Sequence, residues 1–164
     1  MTKIAEKPPA NQLFETDFFL WTQEQARLLR EKRWNDLDLE NLAEEVRSVG
    51  GSEKKEIRSR LDVLLMHLLK WTYQPGKRTP SWQTTIRRQR IDLQGVLDDS
   101  PSLRPYIKQV FSDRYPSARL LAEDETGIAF DLFPEECPFT LEEVMDSKYL
   151  PDEPGILEIA KKKK

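Results

Sequence analysis

The sequence predicts an all-α fold: a compact bundle of four to five main helices, with a short C-terminal helix and an irregular wrap. Apolar residues recur at spacings of three and four along several segments, the period of a helix with one buried face. Helix-start and helix-stop residues punctuate those segments. Asp17, Thr79-Pro80 and Thr140 open them, and Pro75-Gly76 and Gly127 close them. No stretch reads as a convincing strand.

Residues 1–15, with Pro8, Pro9 and polar neighbours, read as a flexible arm. Asp17 suits the N-cap of a first helix running to about Lys32, because its carboxylate accepts from the free amides of the first turn. Phe18, Trp21, Gln25, Leu28 and Leu29 share one side of it. A second helix starts at Asp36 or Asp38. Along it Leu39, Leu42, Val46 and Val49 step by three, four and three, the seam of an antiparallel bundle or coiled coil. Gly50-Gly51 has two readings, a true turn or a kink in one long helix. Ser52 suits the N-cap of the central helix, residues 53–73, where Ile57, Leu61, Leu64, Leu65, Leu68 and Trp71 share a face. From Val63 to Leu69 only His67 is polar, so this helix is expected to be touched on several sides.

Thr79 caps the next helix, with Pro80 at its first position. Trp82, Ile86, Gln89, Leu93 and Val96 form its seam, and Asp98-Asp99-Ser100-Pro101 ends it. A further helical region covers about 102–125 and is expected to break or kink near Pro116, since a proline lacks the amide and crowds the preceding turn. Residues 128–139 are irregular, rich in aromatics and prolines, and wrap the bundle. Thr140 to Glu143 is a capping box that opens a last short helix. The expected organisation is a single helical domain over 16–150, between the arm and a tail, 151–164, that ends in four lysines.

Composition narrows function by exclusion. The 164 residues suit one domain with a proper core. A net charge of -3, from 26 basic and 29 acidic residues, gives no global pull toward nucleic acid or an anionic membrane. Cys137 is the only cysteine and His67 the only histidine, so an internal disulfide, a multi-cysteine zinc site and a His-rich metal site are excluded. No apolar run approaches a membrane span of about 18 residues, and the first residues have no apolar core of signal-peptide length. A soluble cytoplasmic protein, with no cofactor, no metal and no membrane partner, is expected. The dinucleotide, Walker, nucleophile-elbow and zincin motifs are absent. Cys137 sits in the acidic context EECPF, which raises a thiol's pKa and argues against a nucleophile.

Candidate site residues concentrate on the central helix. His67, Lys70 and Gln74 lie on one edge of it, at the margin of the core face. Imidazole titrates near neutrality, so His67 suits an acid-base or ligand role. The ordinary reading is a core-edge histidine bonded to a carboxylate from a neighbouring helix. Glu45 flanks the second-helix seam and needs a partner, for which His67 and Lys70 are candidates. Glu44, Glu45 and His67 as a metal site is the minor reading, because no ExxH spacing supports it. Gln89, within a seam, sets register or lines a small cavity. Lys77, Arg78, Arg87, Arg88 and Arg90 lie near Trp82. Cations beside an exposed aromatic suit an anion or nucleic-acid surface, although Trp82 also fits the seam and acidic residues follow closely.

Several phrases occur in order: DFFLWTQEQARLLREKRWNDLDLENLAEEV, HLLKWTYQP, SWQTTIRRQR, SPSLRP and FPEECPFTLEEVMD. In this set the chain resembles the family called domain of unknown function number twenty-nine, over about Phe14 to Leu150. The resemblance implies a soluble, helical, bacterial and mainly cyanobacterial protein, and implies no activity. The family's recurring phrases correspond to Trp21, Trp34, Glu44, Glu45, His67, Trp71, Gln74, Trp82 and Arg90, none with a catalytic role. The function expected is a non-enzymatic protein-binding or self-associating module, with a protein partner or a homo-oligomer. Nucleic-acid binding through the Lys77 to Arg90 surface is one alternative. An enzyme or metal site on Glu45, His67 and Lys70 is the other.

Overall fold

Asp38 settles where the longest helix begins, and in the computed structural model it does so with both its backbone and its side chain. Its amide donates to Gln25 Oε1 at 2.9 Å, and its carboxylate accepts from Trp21 Nε1 at 3.1 Å and Asn41 Nδ2 at 2.8 Å. The structure describes residues 10–151, with side chains from Leu13 onward. Among them the fold is all-α, without strands: α1 (Ala10–Thr16), α2 (Phe18–Arg30), α3 (Leu39–Tyr73), α4 (Pro80–Asp99), α5 (Arg104–Thr126) and α6 (Leu141–Met145). None of these helices is long and apolar enough to cross a membrane. The chain divides into two compact units, one ending at Ser52 and one starting at Glu53.

In the first unit Asp17 caps α2 as expected, its Oδ1 accepting from the Leu20 amide at 2.9 Å. Trp21, Gln25 and Leu28 are the buried face of α2, a narrower stripe than the sequence suggested, because Phe18 and Leu29 stay exposed. Phe14 packs edge-on against Phe18 and Trp21, with ring centroids 5.8 and 5.0 Å apart. The segment expected as a flexible arm thus ends in a helix, α1, with Leu13 buried; residues 1–9 lie outside the described ones. At the far end of α2, Lys32 takes a left-handed φ of 57°, and the Arg33 amide reaches back to the Leu28 carbonyl. A left-handed residue there lets the chain leave the helix while its last carbonyls stay bonded.

Gly50-Gly51 is neither turn nor break. α3 runs through it as one 35-residue helix. Glycine costs a helix about 1 kcal/mol relative to alanine, which weakens it without ending it. Ser52 accordingly caps nothing; its hydroxyl donates to the Ser48 carbonyl at 3.0 Å.

The second unit is built on the far part of α3. Ile57, Leu61, Leu64, Leu65, Leu68 and Leu69 are fully buried and meet Ile86, Leu93 and Leu97 of α4 and Ile107, Tyr115, Ala118 and Ala122 of α5. Ion pairs fasten the helix margins: Arg60 to Asp92 at 2.7 Å, and Arg114 to Asp62 through two bonds of 2.7 and 2.6 Å. Thr79 and Pro80 start α4, the Thr140–Glu143 capping box starts α6, and Gly127, with φ 72°, closes α5. Of the break or kink expected near Pro116, the break does not occur: α5 continues through the proline. Tyr115, Ala118, Arg119 and Ala122 on its buried face hold both sides of the proline in the core, and that packing outweighs one missing amide.

The irregular segment after α5 lies over the core, with Phe133 and Phe139 buried. It is tied down through its backbone. The Tyr115 hydroxyl donates to the Pro134 carbonyl at 2.9 Å, and Arg119 Nη2 donates to the carbonyls of Phe130 and Phe133 at 3.0 and 3.2 Å. Pro151 is buried; the remainder of the expected tail lies outside the described residues.

Candidate functional site

The last two turns of α3, with Gln74 just beyond them, carry the polar edge predicted for it, and that edge faces the C-terminal end of α5. Lys70 is 6% exposed although it is a lysine, and its ammonium meets Glu125 Oε2 at 2.8 Å. The same ammonium stands 4.6 Å from the centroid of the Trp82 ring. A cation at the last turn of α5 also opposes the negative end of that helix. Lys70 in turn holds the Glu125 carboxyl below its ordinary range, through the hydrogen bond first and its charge second. Gln74 Nε2 donates to the Thr126 carbonyl at 3.2 Å, satisfying an acceptor at the helix end.

His67 is half-buried on the same edge, with Nδ1 3.0 Å from the Val63 carbonyl. A carbonyl only accepts, so Nδ1 carries the proton and Nε2 is the free acceptor of the neutral ring. Burial, reinforced by the Lys70 charge and opposed by the Val63 bond and Glu125, lowers the imidazole pKa below 6.5. The edge therefore presents a neutral imidazole beside a neutralised ion pair. Glu45 belongs to the first unit, half-buried about six turns before His67 on α3. Among the described residues no group of three or more His, Cys, Asp or Glu side chains is placed to hold a metal.

The basic residues take different roles. Arg78 Nε donates to the Trp71 carbonyl at 2.9 Å, and its guanidinium stacks 4.8 Å from the Trp71 ring centroid. Arg88 pairs with Asp92 at 3.0 Å, and Gln89 accepts from Arg60 at 3.3 Å. Arg90 is buried and donates through Nε to the Val144 carbonyl at 2.7 Å. Lys77 and Arg87 are exposed. Trp82 is half-buried beneath Lys70, so the face expected to stack a base is covered by an ammonium. Cys137 is half-buried, and burial first, then the Glu143 charge, pushes its thiol upward.

The predicted seam on the first part of α3 is largely exposed. Leu39, Val46 and Val49 are 63, 68 and 67% exposed, and Leu42 is half-buried. Glu40 and Glu44 lie exposed and Glu45 half-buried on the same segment.

Residues 13–150 match the family described as Domain of unknown function DUF29. The chain belongs to the DUF29 family. No curated protein and no solved structure matches it. For this DUF29 chain the partners of the polar edge, Glu125 and Thr126, escaped sequence reasoning. They lie 55 residues from Lys70 and 52 from Gln74, and no local pattern links positions so far apart. The one available signal was Gly127, which marks a helix end where a cation is welcome.

Proposed function

We propose that this DUF29 protein is a non-enzymatic interaction module that receives a basic amphipathic helix of a partner protein along Leu39, Leu42, Val46 and Val49. The observation that carries the reading is the exposure of that heptad-spaced stripe in a helix whose later turns are buried. Apolar residues at this spacing are what a second helix packs its knobs against. Covering an exposed side chain of this kind is worth roughly 1.5–3 kcal/mol, so Leu39, Val46 and Val49 supply a useful share of a binding free energy. Glu45, which flanks the stripe on α3, selects for charge: it favours a partner with lysine or arginine beside its apolar stripe and disfavours a second copy, which would oppose acid to acid.

The test compares the wild type with Leu39→Lys/Val46→Lys, two exposed positions. Binding is read by fluorescence anisotropy against a helical peptide with a leucine seam and lysine flanks, and mass by light scattering. The wild type is expected to bind the peptide with salt-sensitive affinity and the variant to lose at least tenfold, with unchanged circular dichroism. A dimer that the variant dissolves would make the occupant a second copy. Equal peptide binding by the two proteins would sink the reading.

A further inference from the structure

The interaction reading leaves unused a cleft in the second unit, between the exposed side of α4 and the residues that follow α6. It measures about 150 Å³, room for a group of several heavy atoms, since one water occupies about 30 Å³ of liquid. Its polar lining is Gln83, Arg87, Arg90, Ser147 and Lys148. Among the described residues no carboxylate lines it.

Arg90 is the informative member. It is 5% exposed, its Nε is committed to the Val144 carbonyl, and its Nη2 is buried without any hydrogen-bond partner. A buried guanidinium is normally paired with a carboxylate in a two-pronged bond. Among the described residues no carboxylate is bonded to it; burial disfavours its protonated form, and the charges of Asp146 and Tyr149 favour it. The fold thus holds a desolvated cation, oriented by one backbone carbonyl, against a cavity. Arg87 and Lys148 add two exposed cations at the mouth, and neither forms an ion pair among the described residues. Ser147 and Gln83 add neutral donors.

We infer that this cleft is a binding site for a phosphoryl group, held by Arg90 from within and by Arg87 and Lys148 at the rim. Three cations and neutral donors without an opposing carboxylate match the charge and acceptor number of a phosphate dianion better than those of a monoanionic carboxylate. Ile86 and Leu150 complete the wall and give an apolar surface on which the organic part of a phosphate monoester rests. The inference stands on the α4 cleft alone and is independent of the α3 seam.

The experiment titrates the full chain with inorganic phosphate and with glycerol 3-phosphate, against acetate at matched ionic strength. Calorimetry reads affinity, and NMR reads the Arg90 Nε–H and the Ser147 and Lys148 amides. Both phosphates are expected to saturate and to shift those signals, with the ester tighter if the natural ligand is a monoester and inorganic phosphate at least as tight if it is the free ion. The rim variant Arg87→Gln/Lys148→Gln, which alters exposed side chains only, should weaken binding by roughly tenfold or more. Arg90→Lys keeps a charge but loses the fork, and should weaken it further. Phosphate shifts that persist unchanged in the rim variant, or that acetate reproduces, or that never saturate, would overturn the assignment.

Discussion

At the scale of single residues, His67 is the group whose state changes near neutral pH, and the sign of its effect follows from its surroundings. Burial and Lys70 lower its pKa in the folded chain, so protonation favours the unfolded chain. Its contribution to stability is complete above 6.5, the ordinary value, and is lost as the pH falls from there through the folded value. Glu125, held low by Lys70, acts in the same direction but only below its ordinary 4.5, so the histidine effect begins first as the pH falls. Urea midpoints measured down from neutrality should start to fall below 6.5 in the wild type, and His67→Gln should flatten that slope while leaving the acid limb below 4.5 in place. A slope that survives in His67→Gln would assign it to another group. The residue types of this edge were legible in the sequence, because a lone histidine and a lysine on an apolar helix mark a boundary. Their partners were not, since Lys70 and Gln74 meet the end of a helix that only the tertiary fold brings near.

Among the elements, α3 shows what periodicity reveals and what it hides. The stripe Leu39, Leu42, Val46, Val49 and the stripe Ile86, Gln89, Leu93, Val96 look alike on paper. In the structure Ile86 and Leu93 are 1 and 0% exposed, whereas Val46 is 68% exposed. Spacing states which residues share a face; whether anything covers that face is a property of the neighbours. Caps were legible for a different reason. Asp17, Thr79, Thr140 and Gly127 act on backbone within three or four residues, so local chemistry decides them. Gly50-Gly51 left a turn and one long helix both open, because glycine ends a helix only where a left-handed turn is also required, and here both residues are helical. A Cβ added at either position meets nothing within 4 Å. Gly50→Ala and Gly51→Ala should therefore each stabilise α3 by about 0.5–1 kcal/mol, read as a rise in thermal midpoint. A loss of stability would mean that the pair needs a conformation outside the helix.

For the molecule as a whole, burial is uneven. Among the described residues before Glu53 only Leu13, Trp21, Gln25 and Leu28 are buried, and the rest of the core lies in the second unit. Native-state hydrogen exchange should find the slowest amides in α3 between Leu61 and Thr72, opening only with global unfolding. The amides of α2 and the start of α3 should exchange through openings of lower free energy. Equal protection in the two units would show that they unfold as one. The all-α class was legible because it follows from summed local signals; the division at residue 52 was not, because it depends on how much surface each half covers.

Arg119 carries a consequence for how this fold tolerates sequence change. Its guanidinium lies 3.8 Å from the Phe130 ring centroid and holds two carbonyls of the segment that covers the core, and Tyr115 grips a third. Every amino acid, proline included, offers a carbonyl. The covering segment is therefore clasped by its main chain, and mutations at Asp131, Leu132 or Pro134 leave the clasp with something to hold. A single change at Arg119 releases two anchors at once. Over many generations the strap is free to drift, and the buckle is not.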